Sequence, residues 1–342
     1  MLVRAIRRDD LDALLLLARS TGVGVTTLPA NEERLLRRIE ASLAAQAAEP
    51  KPEHSSFVFV LEDTRQQGRV VGICAIEGAV GLTEPWYNYR VGVSVHASRE
   101  LGVYRKLDTL FLTNDLTGSA ELCSLFLHPD WRHSNNGSLL SKSRFLFMAE
   151  FPERFERRVI AEMRGVSDAT GMSPFWEALG RHFFKMEFSE ADYLTGIGQK
   201  SFIAELMPQH PVYTAFLSEA ARAVIGRVHD NTRPALAMLE GEGFRYNGYV
   251  DIFDAGPTIE CELGDIRAVR DSRLFTTVTA NSPTEGRLWL VSNRRLADFR
   301  VALTHSEPID GQLPLSPTVL ANLGCESGAS VRAVPLSAAT AI

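Results

Sequence analysis

Cysteine is scarce and scattered. The chain has four, Cys74, Cys123, Cys261 and Cys325, with no CxxC pair among them. That spacing argues against both a zinc ribbon and a disulfide framework. Long apolar runs are missing too: nothing approaches the ~20 residues a membrane helix needs. The longest near the start, Ala13 to Ala18, follows Arg7, Arg8, Asp9 and Asp10, so acidic residues stand where a secretory leader is cationic and then apolar. There is no Lys/Arg block, and the formal net charge is -6. Nucleic-acid binding, which replaces counterions with a basic face, is therefore not expected. None of the eight histidines has HExxH spacing, so no metal site is expected. These absences leave a cytoplasmic protein with small-molecule ligands.

What is present is an ordinary globular composition, 342 residues with 45% hydrophobic and 23% charged, enough for one large domain or two modest ones. Leu2 to Ile6 reads as a strand. Asp9 or Asp10 then caps a helix carrying Leu11, Leu14, Leu15, Leu17 and Ala18 on its apolar positions, and Asn31 caps a second with Leu35, Leu36 and Ile39. Ala44 to Ser56 reads as an exposed tail or loop. Strands follow at Phe57 to Glu62 and Arg69 to Glu77, joined by a turn at Gln67 and Gly68. Further strands are expected at Tyr89 to Val95, Leu107 to Leu112, Glu121 to Leu127 and Val159 to Met163, with a helix opening at Gly137. Ser173 and Pro174 start a helix through Leu179, and His182 to Phe188 reads as a strand after it. Pro174 to Gly180 and Pro234 to Phe244 look alike, as an internal duplication or as two ordinary helix-to-strand units. Beyond Gly256 short strands and Gly/Ser/Pro turns dominate, including the loop Asn281 to Gly286.

The fold class expected is α/β: a mixed, mostly antiparallel sheet flanked by helices, plus a small β-rich C-terminal module. The expected division is a core over 1–200, a helix/strand extension carrying His229 over 201–256, and the β-rich module over 257–342.

The stretch from Leu122 to Leu140 concentrates the chemistry. A buried strand gives way to a polar loop and then a helix, whose first N–H groups lack intrahelical partners and carry the positive end of the dipole. A pyrophosphate fits such an end. Asn135 and Asn136 tolerate left-handed backbone, and Gly137 permits close approach. A plain helix entrance has the same ingredients. Arg132-His133-Ser134-Asn135-Asn136-Gly137 resembles the Arg/Gln-x-x-Gly-x-Gly/Ala motif of the GNAT acyltransferases, with Asn135 in place of the first glycine. Pro174 to Phe183 resembles that family's next helix-and-strand motif.

A closer resemblance runs along nearly the whole chain. Ala18-Arg19-Ser20-Thr21-Gly22, Thr27-Leu28-Pro29, Pro85-Trp86-Tyr87-Asn88-Tyr89-Arg90, Asn114-Asp115-Leu116-Thr117-Gly118, Glu121 to Leu127, Ser173-Pro174-Phe175-Trp176-Glu177, Lys185-Met186-Glu187-Phe188, Gly226-Arg227-Val228-His229 and Tyr249 to Pro257 are similar to the arginine N-succinyltransferase family. The resemblance implies a GNAT-like core, succinyl-CoA as co-substrate with no tightly bound cofactor, L-arginine as acceptor, and a homo- or hetero-oligomer with a related subunit. It also implies His229 as catalytic proton donor and Leu125 as a succinyl-CoA contact, beside Asn135, Asn136 and Gly137 in the phosphate loop. On the residues alone, His229 equally reads as a helix cap and Leu125 as core. Glu84, Asp115, Glu162 and Glu187 are candidate carboxylates for a guanidinium, and Arg90 and Arg164 candidate cations for a carboxylate. An ornithine-preferring enzyme, a non-catalytic subunit of a heteromeric enzyme and a binding module without CoA are the competing readings.

Overall fold

The computed structural model describes residues 1–20, 28–168, 170–196, 205–281 and 286–338. Thr21-Gly22 and Thr27, the expected 200/201 boundary and most of the 281–286 loop fall outside the described residues.

The chain opens with β1 (Leu2–Ala5), α1 (Leu11–Arg19) and α2 (Glu32–Ala47). Asn31 caps α2 as expected, its side chain accepting from the Arg34 amide at 2.9 Å. Asp10 does not cap α1 with its side chain; it takes a two-pronged bond from the buried Arg4 guanidinium at 2.8 Å on each oxygen. Then come β2 (Ser56–Asp63) and β3 (Arg69–Glu77), with Gln67 and Gly68 both at positive φ in the turn between them. Both strands are buried on either face, which is why they read as near-continuous apolar runs. A long hairpin follows, β4 (Asn88–Ser98) and β5 (Val103–Thr113), then β6 (Ala120–Leu127), α3 (Asn136–Glu150) and β7 (Arg158–Glu162).

The stretch expected as a strand at His182 to Phe188 is helical instead: Pro174–Ala178 and Gly180–Phe184 are helices, Lys185 turns left-handed, and another helix runs Phe188–Gly196. The reason is tertiary. Phe184 stacks on Trp176 at 5.3 Å, and Gly180 lies so close under that indole that a Cβ would sit 2.2 Å from it. The likeness between Pro174 to Gly180 and Pro234 to Phe244 therefore ends after the first helix, because only the second, Arg233–Glu242, runs into a strand.

The remaining strands are β8 (Val212–Tyr213), β9 (Arg245–Val250), β10 (Pro257–Glu262), β11 (Arg273–Thr279), β12 (Arg287–Ser292), β13 (Arg300–Ser306), β14 (Gln312–Leu315) and β15 (Ser330–Pro335). Among the described residues they form one sheet in the order β14-β11-β15-β12-β13-β1-β2-β3-β6-β7-β10-β9-β4-β5-β8. Its parallel neighbours are β6 with β7 and β11 with β14; the other named pairs are antiparallel. This is the mixed, mostly antiparallel design with a β-rich C-terminal part that the sequence implies. β10 lies between β7 and β9, so the central sheet continues past Gly256 to Glu262.

α1 and α2 cover one face of the central strands through Leu14, Leu17, Leu35 and Ile39. α3 covers the other and is buried nearly all round, with Leu139, Leu140 and Phe145 to Met148 in the main core. A helix buried on every side needs a second cover. Here the C-terminal strands supply it: Leu290, Val301 and Val334 join the same cluster. Lys142 of α3 donates to the Leu336 carbonyl at 2.9 Å and pairs with the fully buried Glu242 at 2.8 Å, which also takes Arg267 at 2.7 Å. Charges this buried persist only when paired.

Candidate active site

Strand β6 is broken by a bulge. Ile73 opposes Phe126 and Ala75 opposes Cys123, so Ser124 and Leu125 together face Cys74 alone. Ser124 takes φ +53 to make room. An extra residue re-aims the side chains around it. Cys123 packs in the cluster under α1 and α2, and Ser124 faces the same way, its hydroxyl accepting from Arg38 of α2 at 2.7 Å. Leu125 turns to the opposite face, half-buried against the cluster that holds α3. The sequence signal was slight: one small polar residue inside an apolar run.

β6 and β7 pair only at Ala120 with Val159 and Glu121 with Ile160. Past that point β7 continues its ladder with β10, and β6 with β3. The two parallel strands thus separate toward their C-terminal ends. Leu125 lies on one wall of the gap, Glu162 ends the other.

At the mouth on the β6 side, His128 caps a short turn, Pro129–Trp131. Trp131 is buried and donates to Asp63 at 3.3 Å; Arg132 folds back onto the Leu127 carbonyl at 3.0 Å. Ser134 and Asn135 are both left-handed, at φ +53 and +63, and α3 starts at Asn136. Asn135 therefore takes the geometry that a glycine would adopt freely. Asn136 is buried and braces the loop by donating to the Trp131 carbonyl at 2.9 Å. Around Gly137 a Cβ would meet nothing within 4 Å, so the entrance is open there. The amides of Gly137 and Ser138 belong to the first turn, before the ladder begins with Leu139 on the Asn135 carbonyl at 2.8 Å.

On the β7 side the chain runs from Glu162 through Arg164 and Gly165. Gly165 pairs with Val228, and the His229 amide donates to the Arg164 carbonyl at 2.9 Å. Asp254 fixes this corner by accepting from the Gly165 amide at 2.7 Å. A side chain at Gly165 would fall 2.5 Å from Asp254. His229 is therefore anchored just past the end of β7. Its Nδ1 accepts from the Asn231 amide at 3.1 Å, so the helix-cap reading is correct for that nitrogen. Partial burial and the neighbouring Arg164 cation lower the imidazole pKa below its ordinary value, against Asp230 and the Ser167 backbone, which favour the charged form.

The other candidates divide. Glu162 stands on the gap and accepts from Asn88 at 2.7 Å. Asp115 is engaged by Tyr249 at 3.0 Å and by Arg90 at 3.8 Å, and Glu187 pairs with Arg181 at 2.8 Å. Burial pushes Cys74 up to about 11 and raises Cys123 further, so neither is a ready thiolate nucleophile. A groove lined by Arg7, Asp9, Leu16 and Arg69 reaches His128 and Trp131, at the mouth on the β6 side. Among the described residues no group of acidic, His and Cys side chains is placed to hold a metal, and no helix is long and apolar enough to cross a membrane.

A mixed sheet with helices on both faces and a parted pair of parallel strands is the architecture that the resemblance to the GNAT acyltransferases implies. Two family models cover the chain, "Arginine N-succinyltransferase beta subunit" over residues 1–268 and its "C-terminal domain" over 273–335. The chain belongs to the arginine N-succinyltransferase family. It is 57% identical to arginine N-succinyltransferase subunit beta of Pseudomonas aeruginosa, over 99% of both chains. It is also 57% identical to arginine N-succinyltransferase of Enterobacter sp. (strain 638), over 98% of each. A solved structure, arginine/ornithine succinyltransferase subunit AI from Pseudomonas aeruginosa, matches with TM-score 0.91 and 38% identity, covering 99% of each chain.

Proposed function

We propose that this chain transfers a succinyl group from succinyl-CoA to the α-amine of L-arginine, with His229 moving the proton. The observation that carries the reading is the gap between β6 and β7, with the α3 entrance at one side of its mouth and His229 anchored at the other. The CoA pyrophosphate meets the first-turn amides at Gly137 and Ser138, with Asn136 bracing the loop and Asn135 holding it in its left-handed shape. The pantetheine arm lies along Leu125, where the edge of β6 turned from β3 offers backbone groups to its amides.

The chemistry is direct transfer. The arginine ammonium gives up a proton, the amine lone pair attacks the thioester carbon, and the C–N bond forms as the C–S bond breaks. Backbone N–H groups of β6 steady the oxyanion. The protons on nitrogen leave through water; burial and the Arg164 cation make the His229 imidazolium a stronger acid, so it gives its proton to the departing sulfur and regains one from water each turnover. With the buried thiols protonated, no cysteine is needed to carry the acyl group.

The names of the relatives favour a second arrangement in addition: one is called a subunit beta and another subunit AI. In that reading the chain works beside a related subunit. Thiol release from succinyl-CoA, followed with arginine and with ornithine for the chain alone and with its partner, tests both readings. No release with either amine under any of these conditions would refute the transferase reading.

A further inference from the structure

Succinyl differs from simpler acyl groups by a second, free carboxylate, two methylenes beyond the thioester carbon. In the proposed reading the donor's acyl end points into the gap, toward the place where β6 and β7 pair at Glu121 and Ile160. The bulge turns Ser124 out of the strand's alternation and toward α2. There Arg38 donates to the Ser124 hydroxyl at 2.7 Å and lies 3.7 Å from the Cys123 sulfur. Arg34 sits one turn earlier on the same face of α2.

We propose that Arg38, assisted by Arg34, binds the free carboxylate of the succinyl chain and so selects a dicarboxylic acyl donor over a plain aliphatic one. This rests on the reading of the gap as a succinyl-CoA site. Arg38 already meets Glu77, but loosely, at 3.6 Å, and that carboxylate also accepts from Ser56 at 3.1 Å. The guanidinium presents a planar fork, so a carboxylate arriving from the gap is recognised by geometry as well as charge. Burial, Arg38 and Arg37 all disfavour the charge on Arg34, and Glu84 and Glu77 only partly offset them.

The test compares donors rather than absolute rates. Succinyl-CoA and butyryl-CoA have the same chain length and differ in the terminal charge. Arg38→Met is expected to lower kcat/KM for succinyl-CoA roughly 10- to 100-fold, the usual weight of hydrogen bonds to a charged group, and to leave butyryl-CoA turnover within a few-fold of the wild type. Arg38→Lys, which keeps the charge but loses the fork, is expected to restore part of the succinyl preference. Arg34→Met gives the same comparison should Arg38→Met fail to fold. Equal losses for both donors, or no loss for succinyl-CoA, would overturn the assignment and leave the transferase reading standing. A wild-type protein that transfers nothing from succinyl-CoA would instead remove the reading beneath it.

Discussion

Two histidines in this chain occupy nearly the same local structure. His128 and His229 each cap a short turn, with φ/ψ of -54/135 and -57/144. Each accepts through Nδ1 from the amide two residues on, at 3.4 and 3.1 Å. Each stands at the end of one of the two strands that part. What differs is the company. His128 meets Trp131 edge-on at 5.1 Å and faces the Asp130 carboxylate at 3.7 Å. His229 is driven toward the neutral form, first by partial burial and then by Arg164 beside it. In the proposed mechanism the same backbone device serves as a structural cap on one wall and a proton carrier on the other, and the burial and charge that tertiary packing bring to His229 set it apart.

The largest expected effect breaks the symmetry outright. His229→Ala should lower kcat by roughly 100- to 10,000-fold, the range for loss of a general acid–base group, with CoA affinity little changed. His128→Ala should stay within a few-fold. Steady-state kinetics on both, with CoA binding by calorimetry, checks this, and equal losses would remove His229 from the chemistry.

Next comes the cation. Arg164→Gln removes a positive charge beside His229 and should move the alkaline limb of the kcat/KM profile, set by loss of the His229 proton, to higher pH, toward the ordinary histidine value of about 6.5. The sign follows from the depressed pKa. The folded protein favours neutral His229, so its contribution to stability is complete above the unfolded value and is lost as pH falls through the lower, folded one. A limb that stays put would mean that Arg164 does not set the proton affinity.

The smallest effect concerns the loop after His128, which has no counterpart after His229. Asn135 is left-handed, so Asn135→Val should cost about 1–2 kcal/mol, whereas Asn135→Gly should be close to neutral. Urea unfolding measures both. Weaker CoA binding in the valine variant alone would tie the loop's shape to the donor.

Much of this was legible in the residues. The Asn31 and Ser173 caps, the Gln67-Gly68 turn and the run of β2 and β3 follow from local propensity and apolar patterning. The polar loop before α3 announced a helix entrance, and Asn135 was singled out as able to take the geometry it has. His182 to Phe188 reads as a strand from its apolar and aromatic content, whereas the packing of Phe184 on Trp176 belongs to a helix. The bulge at Ser124 and the approach of Arg38, 86 residues away in sequence, were invisible, because both depend on which strand and which helix lie alongside.

By itself the sequence determined the periodic elements, their caps and turns, and, through its resemblance to a family, which histidine to watch, because these depend on neighbours a few residues apart. The tertiary structure decided where β6 and β7 stop pairing, which side chains face the gap, and which of two similar histidines stands beside a cation. Those are properties of long-range pairing and burial, where a single extra residue in one strand redirects every side chain around it.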